Sequence, residues 1–281
     1  MSKKNLVIDV ARCMSCNNCV VATKDEFMGN EFKGYSKPLP KSGDGWMQVA
    51  RHIRGSGTRI DVNYTPLMCN HCDNAPCIRA AKNRAIYKRK DGIVIIDPMK
   101  AKGQRDLVKS CPYNAMTWNE EEEMPQIWFF DAHLLDKGYK EPRCVQACPT
   151  GAMKFYQKSD NEMANFIVAE GLEVLNPEFN TKPRVYYKNL AKCRQHFIGG
   201  NVTSEVDGKT SNIANANAYL YFGTEKLQSA ETDAFGDFRF DGLEAIAGPY
   251  IIKVIHQQFG MKHVEVEGDI KKSIHLEMVL S

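Results

Sequence analysis

The 281-residue chain has no apolar run that approaches the roughly 18 residues of a membrane-spanning helix. Its longest, such as Ile93-Val94-Ile95-Ile96, are the length of a strand. It has little net charge, +3, with acidic and basic residues interspersed, and so no basic face for nucleic acid. It lacks a nucleotide-binding glycine loop, a nucleophile elbow and any His/Glu metal motif. No apolar signal segment follows Met1-Ser2-Lys3-Lys4, which points to a soluble, cytoplasmic chain that a partner's signal would have to carry anywhere else. No cysteine occurs after Cys193. Together these absences exclude a membrane channel, a nucleic-acid binder and a self-sufficient hydrolase or kinase. Chemistry on a substrate must then happen on another polypeptide.

What is present is cysteine in a pattern. Cys13, Cys16 and Cys19 form a C-x2-C-x2-C run, and Cys69, Cys72 and Cys77 form C-x2-C-x4-C. Cys111 and Cys148 are each followed by proline. In two-cluster ferredoxins a close-spaced trio binds three irons of a 4Fe–4S cluster, and a distant Cys-Pro supplies the fourth ligand. Counting back from Cys111 by the ferredoxin spacing lands on Ala101, Gln104 and Leu107, and counting on from Cys77 lands on Ala81. The corresponding places around the last run are Thr23, Trp128, Asp131 and Cys144, of which only Cys144 is cysteine. Two sets are whole and two are dismantled. This argues for the pairings Cys13/Cys16/Cys19/Cys148 and Cys69/Cys72/Cys77/Cys111, two 4Fe–4S clusters in all.

Structural zinc uses paired C-x2-C units, which trios with Cys-Pro partners fit poorly. Disulfides are disfavoured because such spacing in an intracellular chain reads as metal-binding. Cys144 reads as a leftover ligand and Cys193 as an ordinary thiol. His71, inside Cys69-Asn70-His71-Cys72, is suited either to a hydrogen bond near the cluster or to plain packing. No catalytic residue is expected in this chain.

The pattern predicts an α+β fold. Residues 1–156 read as a duplicated ferredoxin-like unit, with short strands at Leu6–Val10 and Ile93–Ile96 beside the ligand loops. A long Gly- and Pro-rich insertion, 29–65, includes Gly55-Ser56-Gly57; a loop of that length is usually functional or partner-bound. Residues 157–199 read as a linker packing on the unit, with a helix over Asn161–Leu175 ended by Asn176-Pro177 and an extended stretch at Lys182–Tyr187. Residues 200–281 show short apolar runs at 216–222, 227–232, 238–240, 250–255, 263–266 and 274–280. Turn signals fall at Gly223-Thr224, Phe235-Gly236 and Asp241-Gly242. That spacing predicts an all-β sandwich of immunoglobulin or transthyretin-like type, acting as a docking or packing module.

The segments Cys13–Cys19, Cys69–Cys77, Ser110-Cys111-Pro112-Tyr113 and Arg143–Pro149 resemble the iron–sulfur subunits of the dimethyl-sulfoxide-reductase class of molybdenum and tungsten enzymes. In that class four cysteine runs exchange ligands between first and fourth and between second and third. Within it the chain is similar to small subunits of hydroxytransferases that act on polyhydroxybenzenes. The shared stretches include Asp91–Val94, Ala132–Asp136, Gly171–Val174, Lys182–Leu190 and Ala230–Phe240. The resemblance implies a heterodimer with a large catalytic subunit carrying molybdopterin guanine dinucleotide and molybdenum or tungsten. It also implies a role here as iron–sulfur scaffold and local electron reservoir, or alternatively as electron-transfer subunit of a resorcinol or phenol hydroxylase or a catechol dehydroxylase. A third cluster kept in that branch would map to Thr23, Trp128, Asp131 and Cys144, and three of those four ligands are missing here.

Overall fold

The structure is a computed structural model that describes residues 1–43, 45–56, 59–244, 249–266 and 273–280. Gly57, part of the expected Gly-rich stretch, lies outside the described residues. Strands and short helices alternate with long ligand-bearing loops, an α+β arrangement. The chain divides into two compact units: residues 1–51 with 63–190, and residues 52–62 with 191–281.

The first unit begins with β1 (Lys3–Asp9) and α1 (Asn18–Phe27), followed by the hairpin β2 (Gln48–Ser56) and β3 (Arg59–Leu67), whose outer half belongs to the second unit. Next come α2 (Pro76–Ala80), β4 (Ile86–Lys88), β5 (Val94–Ile96), α3 (Pro98–Ala101), β6 (Thr117–Asn119) and β7 (Met124–Gln126). The unit ends with α4 (Ala132–Leu135), α5 (Arg143–Gln146), β8 (Met153–Lys158), α6 (Asp160–Glu170) and β9 (Val185–Lys188). β1 is the centre of a three-stranded sheet, antiparallel to β8 and parallel to β9. Strand β1 is so apolar (Leu6-Val7-Ile8) because both its faces are covered, and Leu6 and Ile8 have no solvent contact.

α6 starts at a full capping box, Ser159 with Glu162, and stops at Gly171 in the left-handed conformation. The helix is therefore shorter at its C-terminal end than the periodicity to Leu175 suggests, because the Gly171 cap ends it first. Met163 on α6 packs with Val7, Leu172 and Tyr186. Residues 157–190 pack on the first unit and cluster with it, and the second unit's first strand starts before residue 200, at His196. Much of the insertion is likewise built in: Leu39, Trp46 and Met47 are buried. Trp46 lies against Phe27 with ring centroids 4.6 Å apart, and Phe129 lies 5.1 Å from Phe27.

The second unit holds β10 (His196–Val206), β11 (Lys209–Asn212), β12 (Asn217–Phe222), β13 (Glu225–Glu231), β14 (Asp237–Leu243), β15 (Tyr250–His256), β16 (Gly260–Val266) and β17 (Ile274–Leu280). One sheet has β10 at its centre, with β14 and β11 along one edge and β17 parallel on the other. The other sheet runs β13-β12-β15-β16. The inward positions of both, among them Ile198, Phe240 and Met278 from one and Leu220, Ile252 and Val254 from the other, form one core. Asp241-Gly242, expected as a turn, lies inside β14. The register with β10 shifts there, so the pair forms a bulge while the strand continues to Leu243.

Candidate iron–sulfur sites

The second trio is the more enclosed. Cys69, Cys72, Cys77 and Cys111 line one small apolar pocket, together with Val94, Pro112, Met116 and Ile127 among others. Cys77 is the second residue of α2, after Pro76, and Cys111 follows the 3-10 turn Arg105–Ser110. Its ligand loop is laced to a distant segment: Asp73 N donates to the Lys182 carbonyl (2.8 Å), Asn74 N to Thr181 (2.9 Å), and Arg184 N to Asn70 (2.8 Å). Arg184, 3% exposed, grips Asp73 through Nε (2.9 Å) and Nη2. Lys88 Nζ donates to the carbonyls of His71 (2.7 Å) and Cys72 (3.0 Å). Burial is the main reason the Cys69, Cys72 and Cys77 thiols sit above the usual thiol range, Cys77 at about 12, with neighbouring cysteines adding to it. Metal binding must therefore expel protons from these groups.

The first trio is more open. Cys16 is exposed, Cys13 half-buried and Cys19 buried. Burial first, and then the charges of Cys13, Cys148 and Cys16, push Cys19 up to about 11, so these four thiols share one neighbourhood. Ser15 and Asn17 both adopt positive φ (56° and 59°), which wraps the Cys13–Cys19 loop. Cys148 is held below the ordinary thiol range: burial pushes it up, but backbone N–H groups of Met153 and Ala152 and the Thr150 hydroxyl outweigh that.

Sets of four thiols, one around an apolar cavity and one around an open loop, fit iron–sulfur clusters. Among the described residues no three His, Cys, Asp or Glu side chains converge on a space the size of a single ion.

The two dismantled positions are filled. Ala81, Ala101 and Leu107 belong to an apolar cluster with Ile86, Val94 and Ile96. Gln104 accepts from Lys82 N (3.1 Å) and donates to the Lys100 carbonyl (2.7 Å). At the other position Thr23, Trp128, Asp131 and Cys144 are all buried. Trp128 Nε1 and Arg143 N both donate to Asp131, at 3.0 and 2.8 Å. Thr23 donates to the Cys19 carbonyl (2.9 Å). Burial, with Asp131 and Cys19 adding to it, holds the Cys144 thiol well above its usual range. Trp128 in turn lies near His71 and Phe130, with centroids 5.7 and 4.6 Å away. His71 accepts at Nδ1 from Val94 N (3.0 Å), while its Nε2 has no partner. The sequence pattern missed Lys88 and Arg184 entirely, since nothing in their own neighbourhoods marks them as partners of the ligand loop.

The cysteine geometry and the match of residues 60–158 to the 4Fe-4S dicluster domain family define an iron–sulfur protein. The chain is 42% identical over 257 residues to the small subunit of pyrogallol hydroxytransferase from Pelobacter acidigallici, covering 90% of this chain and 91% of that one. It is 31% identical over 210 residues to the putative iron–sulfur subunit of dimethyl sulfoxide reductase from Halobacterium salinarum, covering 67% and 80%. With a subunit of tetrathionate reductase from Salmonella typhimurium the identity is 30% over 190 residues, covering 66% and 72%. The chain belongs to the iron–sulfur subunits of the dimethyl-sulfoxide-reductase class of enzymes.

Proposed function

We propose that this chain is the non-catalytic iron–sulfur subunit of a molybdopterin hydroxytransferase acting on polyhydroxybenzenes of the pyrogallol–phloroglucinol type. The observation that carries the proposal is the likeness, along nearly its whole length, to the pyrogallol hydroxytransferase small subunit. Cys13, Cys16, Cys19 and Cys148 would hold one 4Fe–4S cluster, and Cys69, Cys72, Cys77 and Cys111 the other. A cluster bound at either site supplies storage and transfer of single electrons. Around the second site Arg184, Lys88 and the 181–184 segment fix the ligand loop, and apolar side chains keep water out. The filled positions at Gln104 and Trp128 leave two separated stores in place of a continuous relay. A hydroxyl transfer that returns its electrons to the same active site tolerates that separation.

The catalytic site belongs to a large partner subunit carrying molybdopterin guanine dinucleotide with molybdenum or tungsten, in a cytoplasmic heterodimer. Ile53 and Ile60, both more than half exposed on the β2–β3 hairpin, suit burial against that partner. An obligate interface of this kind exceeds about 2,000 Å². Among the described residues no helix is long and apolar enough to cross a membrane. We read the first unit as a duplicated ferredoxin-like domain and the second as an immunoglobulin or transthyretin-like sandwich serving as a packing module.

A second reading rests on the exposure of Cys16 beside Met14 and Val21, each 62% exposed. An open first site is suited to passing electrons to an external carrier, as a resorcinol or phenol hydroxylase or a catechol dehydroxylase requires. Steady-state turnover of the two-subunit complex separates the readings. Hydroxyl transfer predicts turnover of pyrogallol with a tetrahydroxybenzene co-substrate and no added acceptor or donor. Turnover only when a dye acceptor or donor is supplied supports the second reading.

A further inference from the structure

The second ligand loop encloses more positive charge than its packing requires. Lys88 Nζ reaches the carbonyls of His71 (2.7 Å), Cys72 (3.0 Å) and Gly92 (2.9 Å), and Asp73 Oδ1 lies 2.9 Å away. That carboxylate is shared. Arg184, almost fully buried, holds it through two of its nitrogens. The other carboxylate on Arg184 is Asp160, whose side chain is 59% exposed and so is screened by solvent. Three cations, Arg184, Lys88 and Lys3, face two carboxylates, Asp73 and Asp160, which leaves one positive charge in excess beside Cys72.

We infer that Lys88 is a positioning residue that sets the reduction potential of the second site: its charge stabilises the extra electron held among Cys69, Cys72, Cys77 and Cys111. The inference rests on the reading of those four cysteines as a cluster site. Reduction adds one negative charge to the site and transfers no proton or atom. A fixed cation beside the loop therefore favours the reduced form, and its removal favours the oxidised one. The low polarity of the cavity lining reduces screening, and the Lys88 ammonium lies 3.0 Å from the carbonyl of the ligand Cys72. Lys88 would thereby make the buried site a better electron store.

The test is an EPR-monitored redox titration of the complete complex carrying Lys88→Gln, Lys88→Met or Lys88→Arg, with iron content measured on each. Gln keeps two of the three donors for the carbonyls and loses the charge; Arg keeps the charge. Both neutral variants should retain the iron of wild type. Each should lower the second-site midpoint by about tenfold in the reduction equilibrium, ~59 mV for one electron. Lys88→Arg should stay near wild type, and the first-site signal should not move. If Gln behaves as wild type while Met alone shifts, Lys88 only ties the loop and the inference fails. If all three load fully and none shifts, it also fails. Should the neutral variants lose iron, Lys88→Arg decides: loading with an unshifted midpoint supports the charge role, and a shifted midpoint overturns it. Should wild type lack a second-site signal altogether, the cluster reading itself is at fault.

Discussion

The indole N–H of Trp128 donates to Asp131 Oδ1 across 3.0 Å, and both side chains are wholly removed from solvent. The resemblance to the family maps the pair to two ligands of a further cluster. Around the remaining thiol, Cys144, the space is packed protein, with the largest side chain satisfied by a carboxylate that also accepts from Arg143 N.

Asp131 gives that rebuilt position a pH signature. Burial raises its carboxyl from the ordinary 3.8 to about 6, despite the donors around it. A folded-state value above the unfolded one means the contribution is fully present below about pH 4 and is lost as pH rises through 6. Asp131→Asn should remove this dependence. Between pH 5 and 7.5 the thermal midpoint of wild type should fall relative to the variant. A wild-type–variant difference that stays constant over that range would contradict the assignment.

At the other filled position Gln104 ties Lys82 to Lys100. Gln104→Ala should cost about 0.5–1.5 kcal/mol, the usual net worth of a hydrogen bond whose backbone partners can turn to water. It should leave iron content unchanged, because nothing at that position ligates metal. Denaturant titration and iron analysis of one preparation check both halves, and loss of iron would be the unexpected result.

Gly92 adopts φ +91°, and a β-carbon there would approach Arg184 Cδ to 3.0 Å. Gly92→Ala therefore combines backbone strain with displacement of the side chain that grips Asp73. A destabilisation of roughly 1–3 kcal/mol is expected. The second cluster should become more oxygen-labile than the first, as followed by bleaching of each EPR signal in air. Equal lability of both signals would show that Arg184 does not support the loop.

The cysteine spacing carries much of this picture, because cluster ligands need fixed residue types at fixed intervals. The strands of the second unit were legible for a similar reason: in β15, Tyr250, Ile252 and Val254 alternate inward with period two. β10 was not legible, although it is the central strand, because Gly199-Gly200 and a polar second half interrupt its apolar run. The stop of α6 at Gly171 lost out to a periodicity that runs on to Leu172, a residue that packs in the same core without being helical. Least legible were the groups that hold the second loop. Arg184 lies 111 residues from Asp73, and an ion pair of that range leaves no local pattern. The filling of the vacant positions was hidden too, since a missing cysteine says nothing about what replaces it.

The central claim is that two ligand sets are complete and two positions are filled. Anaerobic iron and sulfide analysis with EPR on Cys148→Ala, Cys111→Ala and Cys144→Ala tests it most directly. Wild type and Cys144→Ala should each carry about eight irons per copy of this chain, from two 4Fe–4S clusters. Cys148→Ala should lose the cluster of the Cys13 trio and Cys111→Ala that of the Cys69 trio, each leaving about four irons. A wild-type content of about twelve irons, a full equivalent of zinc, or loss of the Cys69-trio signal in Cys148→Ala would contradict the account.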